Sequence, residues 1–135
     1  MRYYLLDTGI AGFYITNTRG VFPRARAELG RGNRLGICVP VLGELFAGVE
    51  GSATRTRNLI LLRRAIPTLR VWPYTTAAAE VYGRLAAMLK RSGRPMQQVD
   101  VQIAAIALTF GNCTVVTTDS DFAAVPGLSV ENWAA

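Results

Sequence analysis

Histidine is absent from this chain of 135 residues, and cysteine occurs only twice, as Cys38 and Cys113. Without histidine, the protein cannot use a histidine pair as general acid and base, and it lacks the commonest nitrogen ligand of metals. Each cysteine lies in a short apolar stretch, which predicts two buried, reduced thiols rather than a disulfide or a metal site. A metal in this protein would therefore be held by carboxylate oxygens, which suit Mg²⁺ or Mn²⁺ better than zinc.

The chain also lacks a long hydrophobic run. Its longest apolar stretch, 99–110, falls short of the ~20 residues that a membrane-spanning helix needs. The opening residues 1–7 are too short and too early charged to be a signal peptide. We therefore expect a soluble, cytoplasmic protein with no membrane partner. Because 50% of the residues are hydrophobic, a core can form without disulfides, and we expect one domain over 1–135.

Lysine is nearly absent as well, since Lys90 is the only one among 15 basic residues. The net charge of +6 therefore rests almost wholly on arginine. An arginine-rich surface favours a polyanionic partner, because the guanidinium group matches the geometry of phosphate. Two alternatives stay open, namely a compositional preference of the source genome and an acidic protein partner.

Apolar strands alternate with helical patterns along the whole chain. The predicted strands are 2–6, 35–39, 69–72, 113–117 and 128–130. The predicted helices begin at residue 7 and then cover 24–29, 41–49, 54–66, 77–91, 99–108 and 122–125. Most strands are continuous apolar runs, which is typical of a parallel sheet that is covered on both faces. The predicted fold class is α/β, with an open, mostly parallel sheet of about four to five strands.

The four aspartates of the chain lie where apolar stretches meet turns or helices. Asp7 follows the first predicted strand, whereas Asp119 and Asp121 follow the strand at 113–117. In open α/β sheets, ligands bind beyond the carboxyl ends of the strands. If these two strands are neighbours, Asp7 and Asp119 share one crevice.

Two further acids are candidates for the same crevice. Glu44 lies off the apolar stripe of its predicted helix, so its side chain faces solvent or a site. Asp100 stands in the first turn of a helix that is apolar nearly all round, where the helix dipole favours a carboxylate. Close to other carboxylates, the charged form of Asp100 would need a cation beside it. Each acid also has a simpler interpretation, as a helix cap, a first-turn residue or a solvated helix residue.

Four short motifs in chain order resemble those of the PIN-domain nucleases. They are residues 5–8 (LLDT), 40–45 (PVLGEL), 93–95 with 100–105 (GRP and DVQIAA) and 116–122 (VTTDSDF). The ending at 125–128 (VPGL) resembles that of the VapC-type toxins of bacterial toxin–antitoxin pairs. The resemblance covers nearly the whole chain, from Tyr3 to Leu128. Gln97 and Gln98 are less typical than the residues around them, which bears on substrate choice and on none of the acids.

The resemblance implies a Mg²⁺- or Mn²⁺-dependent endoribonuclease toxin that is inhibited by a cognate VapB-type antitoxin and forms a homodimer. It implies an acidic quartet that is both catalytic and metal-binding, with one extra acid and one nearby hydroxyl. In this chain the quartet would be Asp7, Glu44, Asp100 and Asp119, the extra acid Asp121 and the hydroxyl Thr117. Arginines of the predicted helix at 54–66 would contact RNA phosphates or form a solvated helix face; they are Arg55, Arg57, Arg63 and Arg64.

Three other functions compete with this hypothesis. The triplet at 7–9 (DTG) is that of aspartic proteases, whose fold is mostly β, whereas here it begins a helix in an α/β chain. A receiver-type phosphoacceptor domain needs a lysine after a late strand, but Lys90 lies in a predicted helix. The remaining alternative is a catalytically inactive PIN-like subunit that binds RNA, DNA or an antitoxin through its basic surface. The intact acidic set argues against it, because a simple binder of polyanions has no need of four carboxylates.

Overall fold

A five-stranded sheet forms the centre of the protein, which we describe from a computed structural model of residues 1–135. The strands are β1 (Tyr3–Leu6), β2 (Arg34–Cys38), β3 (Arg70–Trp72), β4 (Cys113–Val116) and β5 (Ser129–Glu131). They pair in the order β3-β2-β1-β4-β5, and every pair is parallel. The predicted α/β class with an open, parallel sheet is therefore confirmed.

Six helices connect the strands. They are α1 (Thr8–Thr16), α2 (Val21–Gly30), α3 (Val39–Glu50), α4 (Arg55–Ala65), α5 (Thr76–Arg91) and α6 (Gln98–Phe110), with 3₁₀ turns at Ile66–Thr68 and Ser120–Ala124. The chain moves outward from β1 to β3 and then returns past β1 to β4. Because parallel crossovers are right-handed, this reversal places α1–α4 on one face and α5 and α6 on the other.

Several predicted bounds were wrong by one to three residues. The predicted strand 35–39 ends at Cys38, because Val39 already begins α3, with Pro40 in the first turn where its missing N–H is not needed. Helix α2 begins at Val21, earlier than the predicted residue 24, after Gly20 at φ 75°. The short helix predicted at 122–125 is the 3₁₀ turn Ser120–Ala124.

One contiguous hydrophobic core of 28 buried residues joins the sheet to its helices. Helix α6 contributes six of them, namely Val101 and the five consecutive residues from Ile103 to Ala107. This helix packs against the sheet and against α5, so apolar residues occupy nearly its whole circumference. The prediction of a buried helix that begins beside Asp100 is confirmed.

The positions of β1 and β4 determine where the site lies. The two strands are neighbours in register from Tyr3 opposite Cys113 to Leu6 opposite Val116. The N–H of Asp7 continues this pairing by donating to the Val116 carbonyl at 3.1 Å. Since the strand order reverses between β1 and β4, the crevice beyond their carboxyl ends is a topological switch point, where open α/β sheets bind ligands.

Both cysteines are buried and free, as predicted. Burial raises the pKa of Cys38 to about 11 and that of Cys113 to about 12, so both thiols stay protonated at neutral pH.

None of the helices combines the length and the hydropathy that crossing a bilayer requires.

Candidate active site

Asp7 is held at the junction between β1 and α1. Its Oδ1 accepts a hydrogen bond from the Ile10 N–H at 2.9 Å, which caps helix α1. Its Oδ2 accepts one from the Thr117 hydroxyl at 2.5 Å. The side chain is therefore fixed in one orientation, while each oxygen keeps a further acceptor site for a cation.

Thr117 connects the two strand ends. Its hydroxyl is buried, donates to Asp7 and accepts a hydrogen bond from the Asp119 N–H at 2.9 Å. A single side chain thus orients the carboxylate after β1 and the backbone after β4. The structure places this predicted near-site hydroxyl directly between two of the predicted acids.

Asp119 and Asp121 lie in the loop after β4. Asp119 Oδ1 accepts a hydrogen bond from the Asp121 N–H at 2.9 Å and so caps the 3₁₀ turn Ser120–Ala124. Both side chains are exposed. The capping interpretation of Asp7 and Asp119 is therefore correct for both residues, and it leaves their remaining acceptor sites open.

Glu44 reaches the same region from helix α3. Its side chain is exposed and accepts a hydrogen bond from the Thr8 hydroxyl. Thr8 directly follows Asp7 in the first turn of α1, so this contact brings Glu44 to the start of that helix. Thr8 is not among the site residues predicted from the sequence, although a hydroxyl next to a strand-end aspartate is a signal that could have identified it.

Asp100 shows the electrostatic cost of the arrangement. Burial and then the neighbouring carboxylates raise its pKa to about 6; in order of effect these neighbours are Asp119, Asp7, Glu44 and Asp121. Burial also raises the pKa of Asp7, with a further contribution from Asp119 and Glu44 and an opposing one from its hydrogen bonds. All the other predicted acids therefore act electrostatically on Asp100. We call the space among Asp7, Glu44, Asp100 and Asp119 the acidic crevice.

The chemistry of the crevice fits a hard divalent cation. Its donors are all carboxylate oxygens, and no histidine or thiolate stands among them, which matches the ligand preference of Mg²⁺ and Mn²⁺. No three acidic side chains are already closed around one common point. Burial and then repulsion from the neighbouring carboxylates raise the pKa of Asp100, and a cation would relieve that repulsion.

The predicted RNA-contacting arginines lie on helix α4, apart from the acids. Arg55 is engaged in an ion pair with Glu50, with a distance of 2.5 Å from Nε to Oε2. The other three, Arg57, Arg63 and Arg64, are exposed. Helix α4 borders an apolar groove of about 290 Å³, lined in part by Leu45, Leu61 and Leu62, whose other walls include Thr8 and Glu44. The helix is therefore close to the acidic crevice at its Glu44 side.

Comparison with known proteins agrees with this geometry. The PIN-domain family model matches residues 4–128. Over 130 residues the chain is 35% identical to the tRNA(fMet)-specific endonuclease VapC of Shigella flexneri, covering 96% of this chain and 97% of that one. It is 29% identical over 132 residues to the ribonuclease VapC2 of Haemophilus influenzae, covering 96% and 97% of the two chains.

Solved structures of VapBC complexes share the fold. DNA-bound VapBC from Salmonella typhimurium matches with a TM-score of 0.89 and 32% identity, covering 99% of this chain and 100% of that one. VapBC2 from Rickettsia felis, bound to a DNA fragment of its promoter, matches with a TM-score of 0.88 and 28% identity, covering 97% and 98%. The chain therefore belongs to the PIN-domain family, among the VapC-type ribonucleases.

Proposed function

We propose that this VapC-type ribonuclease is a divalent-metal-dependent endonuclease and that its active site is the acidic crevice. The observation that supports this proposal is that Asp119, Asp7 and Glu44 lie close enough to Asp100, beside the switch point between β1 and β4, to raise the pKa of its carboxyl group. Such a cluster is electrostatically unfavourable by itself and becomes favourable with a bound cation.

The proposed ligands are Asp7, Glu44, Asp100 and Asp119, which would hold one or two Mg²⁺ or Mn²⁺ ions. When bound, the metal polarises the scissile phosphodiester, lowers the pKa of a water molecule and stabilises the leaving oxygen. Asp121, whose N–H donates to Asp119 and whose charge acts on Asp100, is proposed as an additional carboxylate beside the ligands.

Two hydroxyl residues would orient these ligands. Thr117 holds Asp7 and the backbone of Asp119, and Thr8 holds Glu44. Because a metal site loses affinity when its ligands turn away, the partners that fix the carboxylates matter nearly as much as the carboxylates themselves.

Arginines of α4 are proposed to contact the RNA backbone. Arg57, Arg63 and Arg64 are exposed and free of ion pairs, so they can bind phosphate directly. Arg55 would first have to leave Glu50, which costs little because ion pairs between exposed side chains are weak. Binding through such contacts weakens as the salt concentration rises.

The names of the relatives suggest the substrate and the protein partner that we propose. The Shigella flexneri relative is named for its action on tRNA(fMet), so initiator tRNA is the first substrate to test. The similar solved structures are VapBC complexes, and we propose a VapB-type antitoxin as the inhibitor and a homodimer as the assembly of the toxin. Since this substrate and inhibitor are cytoplasmic, the enzyme is proposed to act there.

Cleavage assays with purified protein test the proposal. We expect cleavage of initiator tRNA or of another cellular RNA with Mg²⁺ or Mn²⁺, and none with excess chelator. Asp7→Asn should lower the rate at least about 100-fold, because loss of a mere supporting partner already costs 10–100-fold at metal sites. Glu80→Gln removes an exposed carboxylate of α5 and serves as the matched control.

Three results would contradict the proposal. Cleavage that persists in chelator would exclude a metal requirement. An Asp7→Asn variant as active as the Glu80→Gln control would exclude the acidic crevice as the active site. RNA binding without cleavage in either metal would instead support the inactive binding subunit.

A further inference from the structure

A second recess adjoins the acidic crevice, on the side of Asp121. It has a volume of about 210 Å³ and is lined by the loop between α5 and α6 and by the turn after β4, with Arg94 and Asp121 in its wall. The Asp121 N–H donates to Asp119 at 2.9 Å, and the Asp121 charge contributes to the raised pKa of Asp100. This space, which we call the Arg94 recess, therefore lies next to the proposed metal ligands.

The backbone of Arg94 is held in place by the end of helix α5. Gly93 adopts φ 71°, the left-handed conformation that glycine accommodates without strain. The Arg94 N–H donates to the Leu89 carbonyl at 2.8 Å, and the Gly93 N–H donates to the Lys90 carbonyl at 3.1 Å. This pair of bonds is a Schellman motif, and the following Pro95 restricts the chain further. The side chain of Arg94 thus starts from a fixed position.

The guanidinium group of Arg94 has no partner in the protein. Its side chain is exposed, and no carboxylate lies within ion-pair distance of it, although Asp121 lines the same recess. By contrast, Arg24, Arg31 and Arg55 are each paired with a glutamate. An anionic ligand could therefore bind Arg94 without displacing an existing ion pair.

The apolar groove and the Arg94 recess, which lie on two sides of the crevice, differ in what they can bind. The groove that meets the crevice at Thr8 and Glu44 is lined largely by apolar side chains and offers no cation among its lining residues. The Arg94 recess offers a guanidinium group, which can form two parallel hydrogen bonds with a phosphate. A phosphate that approaches the carboxylates of Asp119 and Asp121 also requires a positive charge to offset their repulsion.

We infer, on the basis of the proposed function, that Arg94 binds an RNA backbone phosphate adjacent to the scissile one and positions the strand across the acidic crevice. The RNA then leaves the crevice on the Asp121 side. Arg94 is a positioning residue in this arrangement, since it contacts the substrate away from the bond that breaks.

Binding measurements in chelator test this inference separately from cleavage. Wild type, Arg94→Ala, Arg94→Lys and Arg91→Ala are compared with the same RNA, without metal and over a range of salt concentrations. Arg91→Ala is the matched control, because Arg91 is an exposed arginine in the last turn of α5, three residues before Arg94, and does not line the recess. Thermal unfolding of each variant verifies that it is folded.

We expect Arg94→Ala to weaken RNA binding about tenfold, the size of one charge-assisted hydrogen bond. The slope of log affinity against log salt should become shallower by about 0.7, the value for one phosphate contact with a single strand. Arg94→Lys should keep the wild-type slope with an intermediate affinity, because lysine retains the charge and loses the paired hydrogen bonds. In cleavage assays with metal, Arg94→Ala should raise KM and leave kcat within about twofold.

An Arg94→Ala variant that matches Arg91→Ala in both affinity and salt slope would overturn the inference, whether or not the wild type cleaves RNA. If the wild type bound RNA without cleaving it and Arg94→Ala weakened that binding, the inference would hold while the proposed function failed. A wild type that neither bound nor cleaved RNA would overturn both.

Discussion

At the scale of single residues, the Thr117 hydroxyl has two partners from different parts of the chain. It donates to Asp7 Oδ2 at 2.5 Å and accepts from the Asp119 N–H at 2.9 Å. Asp7 also caps helix α1 through Oδ1. Capping and metal binding are compatible functions of one carboxylate, because each oxygen has two acceptor sites. The cap in fact helps the proposed ligand by holding its rotamer.

Replacing Thr117 by valine tests this positioning effect. Thr117→Val leaves a buried carboxylate without one of its donors, so we expect a loss of about 1–3 kcal/mol in the free energy of unfolding. The metal-dependent cleavage rate should fall about 10–100-fold, as for other residues that orient metal ligands. Chemical denaturation and cleavage assays measure the two effects. Thr117→Ser, which keeps the hydroxyl, should restore both.

Thr118→Val is the control for this prediction, because the Thr118 side chain is exposed one residue further along the same loop. If Thr117→Val and Thr118→Val changed stability and cleavage equally, the hydrogen bonds of the Thr117 hydroxyl to Asp7 and Asp119 would have no special role.

At the scale of secondary-structure elements, the edge of the sheet at β2 and β3 depends on one glycine. Gly36 lies on β2 opposite Leu5, and the Trp72 ring of β3 covers it. Trp72 stacks on Tyr3 with ring centroids 5.8 Å apart and contacts the Phe110 ring at 5.2 Å. A side chain at position 36 would occupy the space of this aromatic cluster. Strand β3 can therefore lie this close to β2 only because residue 36 has no side chain.

Gly36→Ala should destabilise the protein by about 3 kcal/mol, the upper end of the usual cost of overpacking a core. Its new Cβ would lie 2.5 Å from the Arg70 carbonyl oxygen and 2.9 Å from the Trp72 ring, and the backbone oxygen cannot turn aside. Gly83→Ala is the matched control, since its Cβ would meet nothing within 4 Å beyond the adjoining backbone of its own helix and alanine favours the helix by about 1 kcal/mol. Urea unfolding should show opposite signs for the two variants, and equal effects would contradict the steric argument.

At the scale of the whole molecule, negative charge is concentrated at one place in a basic protein. The chain carries a net charge of +6, yet Asp119, Asp7 and Glu44 all act electrostatically on Asp100 near the switch point of the sheet. Their repulsion lowers the stability of the metal-free fold and is relieved either by protons or by a cation. The stability of the protein should therefore depend jointly on pH and on divalent metal.

We expect metal-free wild type to lose stability relative to Asp100→Asn as the pH rises from 4 to 7. Burial and the neighbouring carboxylates raise the pKa of Asp100 from 3.8 to about 6, so the folded state holds its proton over a range where the unfolded state has lost it. The stabilising contribution of that proton is complete below the unfolded pKa and disappears as the pH passes the folded one. Thermal unfolding of both proteins across this pH range in chelator measures the difference.

Addition of Mg²⁺ or Mn²⁺ at pH 7 should raise the stability of the wild type more than that of Asp100→Asn, because a cation favours the charged carboxylates. A metal effect of equal size in the two proteins would argue against Asp100 as a ligand. A pH dependence identical in the two proteins would contradict the raised pKa itself.

Much of the fold and the candidate site could be predicted because the relevant signals are local. Asp7 and Asp119 were identified because each follows an apolar strand, and Asp100 because it opens a uniformly apolar helix. Glu44 was identified by its position off an apolar stripe. Periodicity and capping act over a few neighbouring residues, so a sequence displays them directly. Element bounds were less accurate, since caps such as Gly20 depend on the backbone conformation.

The contacts between distant parts of the chain could not be predicted in this way. The hydrogen bond from Thr117 to Asp7 spans 110 positions, and that from Thr8 to Glu44 spans 36. Both depend on β1 lying between β2 and β4, which no local pattern encodes. The recess that Arg94 shares with Asp121 likewise arises only when the α5–α6 loop packs beside the turn after β4.

The sequence by itself determined the chemistry open to this protein, since a chain without histidine and with buried thiols can offer a metal little besides carboxylate oxygen. It also determined the α/β class through the alternation of its hydrophobic patterns. Only the tertiary structure decided that the other acids lie close enough to act on Asp100, because the strand order follows from packing the whole core at once. That order brings acids that are more than a hundred positions apart in the sequence to one crevice, where their charges raise the pKa of Asp100.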